Sequence, residues 1–78
     1  MPKMMCRCGG VLNLSYIPNP IEWRLLSDTD YDAMGDVIKW EEIENISKPV
    51  VECPQCRGLW VFWNGFDGEP VYYARQGD

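Results

Sequence analysis

The chain has 78 residues, enough for a single domain (1–78) near the lower limit for a self-sufficient hydrophobic core. Its formal charge of −5 is the reverse of the basic footprint of a nucleic-acid binder, and no run approaches the roughly 20 apolar residues of a membrane span. There is no histidine, so neither an imidazole base nor a mixed nitrogen–sulfur metal site is available.

Residues 1–5 reach the first cysteine before the apolar core of a signal peptide has room to form. This predicts a cytoplasmic protein that keeps its thiols reduced. Cys6-Arg7-Cys8 follows, with Gly9-Gly10 behind it, and Cys53-Pro54-Gln55-Cys56 stands far downstream, with Gly58 behind it. Four thiolates in two short pairs make an all-sulfur tetrahedral site when folding brings them together, so Cys6, Cys8, Cys53 and Cys56 are the candidate ligands of one structural Zn²⁺. The glycines fit knuckles that turn the backbone toward the metal, by positive φ or by close approach. Cross-paired disulfides are the competing reading, and redox chemistry at Cys53/Cys56 a third. With four thiolates and one Zn²⁺ the net charge becomes about −7.

After the first knuckle, 11–16 reads as a strand that ends in the Pro18-Asn19-Pro20 turn, and 21–26 as a short helix with Ile21 and Leu25 on one face. Ser27-Asp28-Thr29-Asp30 carries helix-start chemistry. A helix from about 28–30 to about 45 is expected, with Gly35 as a potential break, packed through Val37 and Trp40 on a C-terminal hairpin. Residues 49–52 read as a strand, Leu59-Trp60-Val61-Phe62-Trp63 as another, and 70–75 as its return. A two-residue turn at Asp67-Gly68 sets Trp63 opposite Tyr72 and Val61 opposite Ala74, whereas a turn at Asn64-Gly65 gives a different register. The fold class is therefore small α+β: a zinc ribbon with an antiparallel β-sheet and an inserted acidic helical segment.

The acids concentrate between the knuckles, offset there only by Arg24, Lys39 and Lys48. Asp28, Asp30 and Asp32 begin like a calcium loop, but Ala33 stands where glycine is needed and Lys39 where a bidentate glutamate is needed. A zinc with four sulfur ligands has no open position to activate water, which points away from an enzyme. An acidic surface of this kind ordinarily serves solubility; the alternative is a basic protein partner, with Asp28, Asp30, Asp32, Asp36, Glu41 and Glu42 as the charged contacts. The strand from Leu59 is apolar on both faces, and Trp60 and Phe62 are candidates for the centre of the contact.

The pattern C-x-C-G at Cys6, Cys8 and Gly9, with C-P-x-C-x-G-L-W-V through Cys53, Pro54, Cys56, Leu59, Trp60 and Val61, resembles a group of small bacterial zinc-ribbon proteins. Some of these are encoded beside polymorphic toxins and serve as their immunity proteins. The chain departs from the common ribbon spacing in its C-x-C first pair and in Arg57, at a position where glycine often follows the cysteine. The resemblance implies an inhibitor that neutralises a partner protein such as a toxin. An accessory ribbon that binds nucleic acid or the transcription machinery is the alternative, and a structural subunit of a larger assembly a third.

Overall fold

The computed structural model describes residues 3–76 as a small α+β protein built on two antiparallel sheets. β1 (Lys3–Met5) pairs with β2 (Val11–Asn13), with Met4 opposite Leu12. β3 (Glu22–Leu25), β4 (Lys48–Glu52), β5 (Leu59–Val61) and β6 (Val71–Tyr73) form the second sheet in sequence order. The first cysteine pair lies in the β1–β2 turn and the second in the β4–β5 turn.

Successive side chains of a strand point to opposite faces, so the register sorts the larger sheet into two sides. Glu22, Val51, Trp60 and Tyr72 form one row. Val51 and Trp60 of that row pack with Cys6, Leu12, Cys53 and Phe62, so the N-terminal hairpin closes this side. Cys6 and Cys53 are thus part of a very small core, with Cys56 packed against it. Trp23, Val50, Val61 and Val71 form the row on the other side.

The segment expected as a short helix at 21–26 is instead strand β3. Its Ile21/Leu25 spacing fits a helical turn, but β4 offers it a full ladder, and the Ile21 carbonyl accepts a further bond from the Glu52 N–H at 2.8 Å. A helix this short gains little by itself, so pairing decides. The expected central helix divides into α1 (Asp28–Ala33) and α2 (Trp40–Ile46). Ser27 caps α1 by accepting the Asp30 N–H at 3.1 Å. Gly35, at φ +75°, takes the left-handed conformation that stops the helix.

Neither helix has a buried residue. Val37 and Trp40 are 76% and 68% exposed, so the expected packing of this segment on the hairpin through these two side chains does not occur. Two short helices present no continuous apolar stripe to a sheet. The hairpin register also differs: Trp60 faces Tyr72 and Val61 faces Val71. Both turn dipeptides are used in succession, with Gly65 N–H bonded to Phe62 and Gly68 N–H to Gly65, which makes the connection longer than either single turn allows.

Candidate metal centre

The two knuckles are built alike. In the first, Cys6 N–H bonds the Gly10 carbonyl at 2.8 Å and Gly9 N–H returns to the Cys6 carbonyl at 3.0 Å. In the second, Cys53 N–H bonds Gly58 at 3.0 Å and Arg57 N–H bonds Cys53 at 2.9 Å. The left-handed position is filled by Gly9 (φ +93°) in the first and by Arg57 (φ +64°) in the second. A non-glycine residue is costly there. Gly58 serves the other purpose, because a Cβ at that position would run into the Tyr72 hydroxyl and ring.

The turns bring Cys6, Cys8, Cys53 and Cys56 together with all four Sγ atoms within 4.8 Å of one another, a group that could hold a metal ion. The shortest separations cross between the knuckles, at 3.6 Å for Cys6–Cys56 and 3.5 Å for Cys8–Cys53. All four thiols are free, and the cross-knuckle separations are well beyond the roughly 2.05 Å of a disulfide bond. Cys6 and Cys53 are buried, Cys56 is half-buried and Cys8 is exposed.

Donors surround the sulfurs. The Trp60 indole N–H points to Cys6 Sγ at 3.4 Å, Gly58 N–H to Cys56 Sγ at 3.4 Å, and the Tyr72 hydroxyl lies 3.3 Å from Cys56 Sγ. The Arg7 guanidinium sits 5.3 Å above the Tyr72 ring. The Tyr72 hydroxyl and then the Gly58 N–H bring the Cys56 thiol down to about 6. That thiolate in turn pushes the Tyr72 hydroxyl up to about 12. At Cys8 the Gly10 N–H favours the thiolate, but the neighbouring sulfurs, Cys53 first, prevail and push the thiol up to about 11. One sulfur is held ready as an anion while another resists becoming one. Crowded thiolates behave this way until a cation neutralises them.

Other candidate residues lie elsewhere. Asp28, Asp30 and Asp32 are on α1, Glu41 and Glu42 in the first turn of α2, and Asp36 between the helices. All six are exposed, and among the described residues none forms an ion pair. Asp36 falls outside α1, so Asp32 and Asp36 do not stand one helical turn apart as a continuous helix over 28–45 would place them. Trp60 faces the cysteines, and Phe62 is buried against Phe66 with ring centroids 4.8 Å apart. Neither is at the centre of an open surface. A wholly apolar strand does not reveal which side meets the core. Tyr72 is a site residue missed from the sequence, and Trp60, expected at a partner contact, lies beside the cysteines instead; the register that sets the two opposite each other (ring centroids 4.8 Å apart) is the signal the sequence lacks.

Among the described residues no helix is long and apolar enough to cross a membrane. Residues 2–77 match the family described as Domain of unknown function (DUF8617). No curated protein and no solved structure matches the chain.

Proposed function

The chain belongs to the DUF8617 family, and we propose that it is a non-catalytic, zinc-stabilised cytoplasmic protein that binds and neutralises a basic partner protein in the manner of an immunity protein. Cys6, Cys8, Cys53 and Cys56 would hold one structural Zn²⁺. A regular tetrahedron of sulfurs about 2.3 Å from zinc has edges of about 3.8 Å. The cross-knuckle separations of 3.5 and 3.6 Å are close to that figure. With four sulfur ligands no coordination position remains for a reacting water, so the metal's contribution is to the fold.

The observation that carries the binding role is the segment 28–46. It buries none of its helical residues and holds seven exposed carboxylates against the one cation Lys39, none of the seven in an ion pair among the described residues. Acids that serve only solubility are interspersed with cations, whereas a single-sign field speeds encounter with an opposite charge. The resemblance of the knuckle motifs to toxin-neutralising zinc ribbons supports the inhibitory form of this reading.

The test is affinity capture on the zinc-loaded protein over a rising salt series, alongside the same protein with Asp28, Asp30, Glu41 and Glu42 changed to the amides. The expected result is a basic protein retained at low salt by the wild type, released as salt rises and not retained by the variant. Retention that is indifferent to salt and to the four substitutions overturns the reading.

A further inference from the structure

The four sulfurs of the knuckles are not equivalent. Cys6 and Cys53 are buried and Cys56 is half-buried, whereas Cys8 is exposed to solvent. Hydrogen-bond donors are shared out in the same sense. The Trp60 indole N–H serves Cys6, and Cys56 has both the Gly58 N–H and the Tyr72 hydroxyl. At Cys8 the Gly10 N–H is the one such donor among the described residues. The Gln55 side chain beside it presents its amide oxygen, an acceptor, at 3.9 Å from the sulfur.

A cysteine bound to a metal ion is a thiolate, so in the zinc-loaded protein all four sulfurs are anions. Their reactivity then depends on access and on how far donors have stabilised each anion, because nucleophilicity falls with that stabilisation. Both criteria rank Cys8 first. A second sulfur is in place to complete the reaction, since Cys53 Sγ stands 3.5 Å away across the knuckles. Cys6 shares the short C-x-C turn with Cys8 and could bridge to it only with strain. An accessible thiolate next to a resolving cysteine is the arrangement found in peroxide-sensitive thiols.

We propose that Cys8 is an oxidation site for peroxide, and that its disulfide with Cys53 releases the metal ion. The inference rests on the zinc reading above and adds to it a modification that reverses the assembly of the site. The Cys8 thiolate attacks one peroxide oxygen: an S–O bond forms, the O–O bond breaks, and the departing hydroxide takes a proton and leaves as water. The Cys53 thiolate then attacks Cys8 Sγ. An S–S bond forms, the S–O bond breaks, and a second hydroxide is protonated to water. The two sulfurs lose two electrons in all, and these reduce the peroxide. Cys6 and Cys56 keep their donors, but two sulfurs do not replace a four-sulfur set. A dithiol reductant returns the two electrons and restores all four ligands.

The test begins with zinc analysis of the reduced protein and continues with the zinc-loaded protein treated with hydrogen peroxide. Released zinc is read with a chromophoric chelator, and the disulfide by non-reducing peptide mapping. Cleavage after Arg7 parts Cys6 from Cys8, and fragment sequencing tells Cys53 from Cys56 on their common peptide. The expected result is zinc release in step with a Cys8–Cys53 disulfide, and rebinding once dithiothreitol is added. A limiting amount of iodoacetamide on the untreated zinc-loaded protein should label Cys8 first. Cys8→His keeps a ligating side chain that forms no disulfide, and should slow peroxide-driven release about tenfold or more. If that variant does not hold zinc, the disulfide map and the labelling order of the wild type decide the matter.

A Cys6–Cys56 disulfide, or first labelling at Cys56, overturns the assignment of Cys8. Sulfinic acid at Cys8 without a disulfide overturns the role of Cys53. Release from Cys8→His as fast as from the wild type overturns the inference, as does zinc retained under peroxide that oxidises free cysteine. A folded, reduced protein without zinc instead removes the metal reading, and this inference with it.

Discussion

The cysteine-held end of the molecule and the segment between Ser27 and Ser47 use their apolar residues in opposite ways. At the first, Leu12, Val51, Phe62 and two of the cysteines are almost wholly removed from water, and the sulfurs receive N–H donors from both knuckles and from the sheet. At the second, Tyr31, Val37, Ile38 and Trp40 stay exposed, beside carboxylates that pair with nothing described. Burial and a cluster of four cysteines specify one region, whereas local capping and a glycine stop shape the other. A chain this small cannot spend apolar surface on stability in two places, so surface left uncovered is available for a partner.

The contrast breaks most completely at the metal. Cys53→Ser, or chelation of the wild type, should abolish the cooperative thermal transition and the dispersed NMR spectrum, because structural zinc contributes on the order of 10–16 kcal/mol of apparent folding energy. Zinc analysis of reduced, dialysed protein should give one ion per chain. A folded protein without metal would remove the premise.

Next in size is the pair Phe62→Ala and Trp40→Ala. The first empties a buried position and should cost about 3–5 kcal/mol in chemical denaturation. The second truncates an exposed side chain and should stay within about 0.5 kcal/mol. Similar losses for both would mean that α2 is packed in solution.

Tyr72→Phe sharpens the comparison within the cysteine end itself. It removes the hydroxyl beside Cys56 but keeps the ring against Trp60. Metal affinity, read by competition with a chromophoric chelator, should fall about 10–100-fold. The smallest effect on folding is expected for Asp28, Asp32 and Asp36 changed together to asparagine, within about 0.5 kcal/mol in denaturation. Association with a basic partner should nevertheless slow, and its salt dependence should flatten.

What could be read in advance followed from how local each signal is. The four-cysteine cluster was legible because C-x-C and C-x-x-C state their chemistry in a few residues, and the two glycine roles, positive φ at Gly9 and close approach at Gly58, came with it. β4 and β5 were legible as short β-forming runs. β3 was not, since Glu22-Trp23-Arg24-Leu25 becomes a strand only by pairing with a segment more than twenty positions away. The side of the sheet that Trp60 and Phe62 occupy was equally hidden. Both neighbours of each are apolar, and only the register with Tyr72 and the donor bond to Cys6 decides it. Gly35 was visible as a breaker, but the apolar residues beyond it suggested a continuous face that the fold does not use.

The placement of the cysteines in two distant hairpin turns also sets an order of events during synthesis. Cys6 and Cys8 are made early, while their partners come after 44 intervening residues, and Tyr72, whose hydroxyl meets Cys56, later still. Until residue 56 is available, the first hairpin has nothing to close against, and its two thiols stay open to oxidants or to a borrowed metal ion. Joining the two turns then closes one long loop, and the entropy of that closure makes the non-local contact, and not helix formation in the middle, the event expected to set the folding rate.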